Sequence, residues 1–381
     1  MNNLKTGLKN MIPFFAFKRR FRRGGSARRS FHQVLDQLLD GGIFILGPKV
    51  AEFEDKFAKF LGVSHVIGVN SGTDAIFLAL KALDIGVGAE VITVANTATP
   101  TVSAIRLTGA TPIFSDIDPL TLTIDPKSVA KLITTKTKAI IPVHLYGYPA
   151  DMTAIMKLAK KHHLIVVEDA CQAHGAKWRG KYIGTWGEVG AFSFYPTKNL
   201  GALGDAGAVV TKDKKLAAKI KALRNYGEVA KFDNYYEGVN SRLDELQAGI
   251  LLATLPNLKP DNQARAKLAA VYTHELKGLP IILPLNLKSQ VGERVWHLYV
   301  IQAPRRDELK EFLLKNGVQT MIHYPKLITE QKAYAFLKNK QLLLITKKAA
   351  SQILSLPLYP ELTVREVKQI AALIKKFYRL R

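Results

Sequence analysis

A chain of 381 residues, 48% of them hydrophobic, can bury a sizeable core and divide into two domains. Its single cysteine, Cys171, excludes an internal disulfide framework and fits a reducing, cytoplasmic setting, and no apolar run approaches the length of a membrane-spanning helix. The formal net charge is +24; residues 1–30 hold nine Lys or Arg and no acid, which leaves +15 on the rest. No zinc-finger spacing, RNP-like aromatic run or basic zipper accompanies that charge, which argues against nucleic acid as a partner. Steering of an anionic small substrate accounts for dispersed positive charge as well. The apolar stretch at residues 11–17 is followed by basic residues and no small-residue cleavage site, against a signal peptide. Residues 1–30 therefore read as a basic arm, a solvated or membrane-brushing tail rather than a reader of sequence, and a candidate for disorder.

From about residue 50 the chain alternates. Residues 50–61 carry apolar side chains at helical spacing (Val50, Phe53, Phe57, Phe60, Leu61), 65–69 are short and β-branched, and 74–83 are helical again. Residues 90–94 read as a strand, 101–107 as a helix and 111–114 as a strand; 139–143, 164–167 and 208–211 add buried strands between helical stretches. Such alternation predicts an α/β domain over 31–255, a mostly parallel sheet between two layers of helices. Ligands collect at the carboxyl ends of strands in such sheets, where Ser71 and Asp169 fall. After Leu255-Pro256 the character changes. A polar helix at 260–276, a proline-broken stretch at 279–287, a strand at 296–301, a helix at 307–315 and a final helix from Thr363 predict a smaller α+β domain over 256–381.

The chemistry centres on Lys198, in Phe192-Ser193-Phe194-Tyr195-Pro196-Thr197-Lys198-Asn199. An apolar strand delivers one lysine into a turn, and Asp169 ends an earlier apolar run. Lysine forms Schiff bases with aldehydes, and a carboxylate keeps the pyridine nitrogen of pyridoxal phosphate (PLP) protonated. A lysine is by default a surface residue; attack as a free amine needs the depressed pKa that burial would supply. Asn70-Ser71-Gly72-Thr73-Asp74 joins a strand to a helix, with Ser71 as the expected N-cap. A helix N-terminus with two hydroxyls suits a phosphate monoester, although the same residues alone make no more than a cap. Cys171 reads as a small buried filler. The nine histidines show no metal-binding arrangement, so no metal is expected.

Several motifs together resemble the DegT/DnrJ/EryC1/StrS family of PLP-dependent nucleotide-sugar aminotransferases. They are Phe44-Ile45-Leu46-Gly47-Pro48, Asn70 through Ala75, Pro142 through Gly147, Glu168 through Gly175, Phe192 through Gly207, Asn240 through Ala248, and Ile322-His323-Tyr324-Pro325. The likeness runs from about residue 30 to the C-terminus, and the motifs are specific as a set. It implies the fold type I architecture with a seven-stranded-type sheet. It makes Lys198 the Schiff-base lysine and general base, places Asp169 at the pyridinium nitrogen and Gln172 near the phenolic oxygen, and gives the phosphate to Gly72, Thr73 and Ser193. Asn240 would reach the partner subunit's cofactor, which implies a homodimer with shared sites. His323 and Tyr324 fall where the family lines its sugar pocket. The implied reaction is amination of a nucleotide-linked keto-deoxysugar, a dTDP-3-keto-6-deoxyhexose as first choice, with glutamate as donor. Some members carry histidine at the lysine position and act as dehydratases, so Lys198 favours transamination; a dehydratase or lyase, or a non-catalytic regulatory homologue, are the rivals. Two departures stand out. Ala98 occupies the place of an aromatic that usually stacks on the cofactor, and the stretch after Tyr324-Pro325 is shorter than is common.

Overall fold

The computed structural model describes residues 11–286, 291–337 and 342–379. The first ten residues of the arm, with Lys5 and Lys9, and the end of the proline-broken stretch at Leu287 lie outside the described residues.

Seven short, buried, mostly β-branched runs form one sheet: β1 (His65–Val69), β2 (Glu90–Val94), β3 (Thr111–Ser115), β4 (Thr137–Ile140), β5 (Ile165–Asp169), β6 (Val189–Ser193) and β7 (Gly207–Thr211). Their order is β1-β7-β6-β5-β4-β2-β3, and only β7 runs antiparallel to its neighbours. Both faces are covered, which is why the strands read as continuous apolar runs rather than alternating ones. Helices of the large unit are α1 (Ser26–Gly41), α2 (Pro48–Leu61), α3 (Gly72–Ala82), α4 (Thr99–Leu107), α5 (Met152–His162), α6 (Lys214–Leu223) and α7 (Glu245–Thr254). None of the helices among the described residues is long and apolar enough to cross a membrane.

The C-terminal unit follows with α8 (Leu258–Glu275), β8 (Tyr299–Gln302), α9 (Arg306–Lys315), α10 (Leu344–Gln352), β9 (Ile353–Leu356) and α11 (Val364–Arg379). β8 and β9 pair antiparallel, and Tyr272, Tyr299 and Trp296 stack in a core of their own, with centroids 4.8 and 5.5 Å apart.

Three elements differ from the sequence expectation in ways that matter. The strand expected over 139–143 stops at Ile140 because Pro142 has no N–H to give the ladder; Val143 regains contact as a lone bridge to Asp169. The strand expected over 164–167 continues instead to Asp169, so the carboxylate is its last residue. The strand expected from Trp296 begins at Tyr299, because Trp296 has φ of 48°.

The arm also differs. Residues 12–20 dock on the C-terminal unit, and residues 26–30 begin α1 of the large unit. Ile12 bridges Val318, and Ile12 and Phe14 are buried. Arg19 holds Glu366 through two bonds of 3.0 and 2.6 Å, and Arg20 reaches Asp261 at 2.9 Å. The run Ile12-Pro13-Phe14-Phe15 supplies the burial that charge counting overlooks, and acids on α8 and α11 take up two of the cations.

Candidate active site

Three strand ends meet at one sheet edge. Val69 pairs with Gly207, Gly207 with Ser193, and Asp169 lies opposite Ala191. The carboxyl ends of β1, β5 and β6 therefore share a rim, and a cavity of 260 Å³ opens there. Gly72, Thr73, Asp169, Gln172, Ser193 and Lys198 all line it. The period of two along β6 explains part of the convergence. Phe192 and Phe194 point into α2, edge-on to Phe57 at 5.3 and 5.4 Å, which turns Ser193 between them toward the cavity.

The rim of the cavity at α3 is an anion cradle. Ser71 caps the helix, its hydroxyl accepting from Asp74 N at 3.1 Å, and the first amides of the helix have no intrahelical acceptor. A Cβ on Gly72 would lie 2.6 Å from Ser193 Cβ and 2.8 Å from Cys171 Sγ. Glycine thus lets the start of α3 pack directly against Ser193 and Cys171, which keeps the free amides and the Ser193 hydroxyl in one cradle. Gly72→Ala is expected to weaken PLP binding through crowding of about 1–3 kcal/mol. Titration of the apo-protein with PLP measures it, and an unchanged affinity would show that the cradle is not the binding surface.

Asp169 is held at both oxygens. Oδ2 accepts from Thr101 Oγ1 at 2.7 Å and Oδ1 from Cys171 N at 3.2 Å. Thr97 Oγ1 lies 2.8 Å from Thr101 Oγ1. Lys198, half-buried, faces the same space. Burial pushes its pKa below the usual lysine value, and nearby Cys171 and Asp169 oppose that shift. The expected depression is present, and desolvation is its largest cause. Burial likewise pushes the Cys171 thiol up, which fits a filler rather than a nucleophile.

Glu168, adjacent to Asp169, points to the other side of the strand. Its carboxylate accepts from Gly184 N at 2.8 Å, Trp186 N at 2.6 Å, Gly187 N at 2.9 Å and His144 Nε2 at 3.2 Å. Ala150 N donates to His144 Nδ1 at 3.0 Å, so the imidazole proton sits on Nε2 and is donated to Glu168. Glu168→Ala would orphan four buried donors and is expected to cost about 3–5 kcal/mol of stability, read by urea unfolding. A loss under about 1 kcal/mol would mean water replaces the carboxylate.

Gln172 accepts from Tyr146 N at 2.8 Å and donates to the Tyr324 hydroxyl at 3.3 Å. Tyr146 hydroxyl donates to His323 O, and His323 Nδ1 lies 2.8 Å from Ser355 Oγ. His323 and Tyr324 are thus tied to the cavity wall through Gln172 and Tyr146 without lining the cavity themselves. Burial and the Lys198 charge lower His323 to about 4, so its ring is neutral near pH 7. Asn240 is exposed, bridges Asn225, and is not among the residues that line its own chain's cavity. Ala98 lines the cavity, as do Thr97 and Thr101. Those two threonines were absent from the sequence reading, and threonines on a helix start carry no signal without their aspartate.

No group of His, Cys, Asp and Glu suited to a metal ion occurs among the described residues. A primary amine, a carboxylate and an anion cradle in one cavity fit PLP: Lys198 for its aldehyde, Asp169 for its ring nitrogen, and Gly72, Thr73 and Ser193 for its phosphate.

Comparison with known proteins agrees with this constellation. The sequence profile of the "DegT/DnrJ/EryC1/StrS aminotransferase family" matches residues 26–375. A "Pleiotropic regulatory protein" of Geobacillus stearothermophilus is 45% identical over 91% of this chain and 94% of its own. The "dTDP-3-amino-3,4,6-trideoxy-alpha-D-glucose transaminase" of Streptomyces venezuelae is 44% identical over 92% of each chain. Among solved structures, S. venezuelae DesV in complex with a ketimine intermediate superimposes with a TM-score of 0.93 at 42% identity, covering 97% of this chain and 99% of that one.

Proposed function

We propose, for a chain that belongs to the DegT/DnrJ/EryC1/StrS aminotransferase family and is a PLP-dependent aminotransferase, that it aminates a keto carbon of a nucleotide-linked deoxysugar. The donor is glutamate, and the preferred acceptor is a dTDP-linked 3-keto-6-deoxyhexose. The observation that carries the reading is the meeting of Lys198, Asp169 and the α3 N-terminus in one cavity. The name of the S. venezuelae relative supports the dTDP sugar and the C3 position.

Bound PLP would supply an aldehyde for the amine and a protonated ring that takes up electrons from the reacting carbon. The chain supplies the rest. Lys198 would hold the cofactor through its amine and, as a free amine, would carry the proton at the reacting carbon. Asp169 would hold the ring-nitrogen proton, Gln172 would orient the phenolic edge, and Gly72, Thr73 and Ser193 would bind the phosphate. Tyr324 and His323 shape the sugar side. Two copies share their sites, with Asn240 reaching the partner's phosphate. The exposed run Ile43 to Leu46 and exposed Tyr195 and Leu203 provide an apolar surface for that contact. The enzyme is cytoplasmic, in keeping with its single free thiol.

The test is a panel of dTDP- and UDP-linked keto sugars with nitrogen-labelled glutamate. Label is expected in the sugar, most in a dTDP-3-keto substrate. Turnover without label would mean a dehydratase, preference for a UDP-4-keto sugar would move the position, and no turnover with any sugar would favour a regulatory protein.

A further inference from the structure

Asn199 follows Lys198 directly and is buried, and its carboxamide makes three hydrogen bonds. Nδ2 donates to Val295 O at 3.0 Å and to Asn262 Oδ1 at 2.7 Å. A backbone carbonyl can only accept, so this contact fixes which end of the amide is nitrogen. The amide oxygen then faces His297 Nδ1, 3.0 Å away. An acceptor at that point requires the imidazole hydrogen on Nδ1, and a neutral ring of that tautomer carries a bare lone pair on Nε2.

The ring is neutral. Burial first, and then the charges of Lys198 and Arg265, hold His297 well below the ordinary histidine range, with His323 and His174 also facing it. Its backbone is pinned as firmly as its side chain. His297 N donates to Tyr146 O at 3.1 Å and Val295 N to Gly147 O at 3.1 Å, while Tyr146 N donates to Gln172. Gly147 permits that approach: it has φ of 81°, and a Cβ there would lie 2.9 Å from His297 N. Asn262 completes the frame by donating to His174 O at 2.9 Å. The lysine turn, the Gln172 turn and helix α8 are thereby joined through one amide and one imidazole.

We propose that Asn199 and His297 are a positioning pair for Lys198, in which the amide fixes one imidazole tautomer and the ring braces the lysine turn while adding an uncharged nitrogen to its surroundings. This rests on the reading of Lys198 as the lysine that takes up PLP. An imidazolium at the same place would set a second positive charge near Lys198, and the charges of Lys198 and Arg265 both act against it. The pair keeps that charge out while fixing where the amine stands. The aminotransferase reaction itself does not assign either residue.

The experiment uses the full chain freed of cofactor, with PLP added back and the visible absorption of the lysine-bound cofactor followed over a range of pH. His297→Asn keeps a donor where Nδ1 stands, whereas His297→Phe keeps only a ring. His297→Phe is expected to slow PLP uptake by about ten- to a hundredfold and to move the pH midpoint, with the KM for glutamate little changed; His297→Asn should recover most of the rate. Asn262→Ala, outside the cavity, removes one acceptor of the amide and the donor to His174 O while leaving His297 in place; it should shift the midpoint in the same direction by less, and it serves if His297→Phe does not fold. Wild-type rate and midpoint in His297→Phe would overturn the proposal. So would equal slowing in both His297 variants with the midpoint unmoved, which is the mark of packing alone. Wild-type protein that takes up no PLP would instead remove the reading of Lys198, and the pair with it.

Discussion

Lys198→Ala is expected to lose the visible absorption of the bound cofactor and to lower transamination by about 10³-fold or more, because attachment and proton transfer then have no amine. The companion variant Lys198→Arg separates charge from chemistry. Arginine keeps a cation beside Asp169 and Cys171 but cannot release its proton, so it should be as inactive as alanine. The sign of the pKa shift adds a stability consequence. Burial lowers the Lys198 pKa, so folding disfavours its charged form, and at neutral pH the lysine weakens the apo-protein. The weakening is complete below the lowered folded value and vanishes above the unfolded one. Cofactor-free Lys198→Ala should therefore melt no lower than wild type at pH 7 and gain nothing at strongly alkaline pH. Retained turnover in either variant would end the assignment of Lys198.

Much of this site was legible because its parts are local. Ser71 announces itself by a strand, a glycine and a helix, and Lys198 by an apolar strand that ends in a proline turn. What escaped is what the fold brings from a distance. Thr101 and Asp169 are 68 positions apart, and Asn199 and His297 are 98 apart. A threonine in a helix start and a histidine in an apolar strand look alike whether or not a carboxylate or an amide waits for them. Strand direction was hidden for a similar reason: β7 is buried on both faces, so its apolar run reads the same in either direction. The arm was misread through charge. Nine cations and no acid suggested a tail, but Glu366 and Asp261 lie 347 and 241 positions away from the arginines they hold. Net charge counts residues and cannot see such partners.

Asp169→Asn is the second change expected to act strongly, and its effect follows from the threonine chain. Thr101 has one hydroxyl hydrogen and gives it to Asp169 Oδ2, so in the 2.8 Å contact with Thr97 it must accept. The chain runs Thr97 to Thr101 to Asp169, and Cys171 N approaches the other oxygen. Both polar neighbours are donors, which suits a carboxylate and opposes an amide. An asparagine there must turn its NH₂ toward one of them, and it brings no charge to hold a proton on the cofactor ring. Lys198 is untouched, so PLP should still attach, with an altered absorption spectrum. The expected fall in kcat is about 10²–10³-fold, the usual scale for losing one electrostatic partner of developing charge. Thr101→Val leaves the charge but removes one donor to it, a loss of about 1.5–3 kcal/mol, so it should fall between wild type and Asp169→Asn. If Asp169→Asn kept kcat within about threefold of wild type, some other group would have to hold the ring proton, and Asp205, the other carboxylate that lines the cavity, would be the one to replace next.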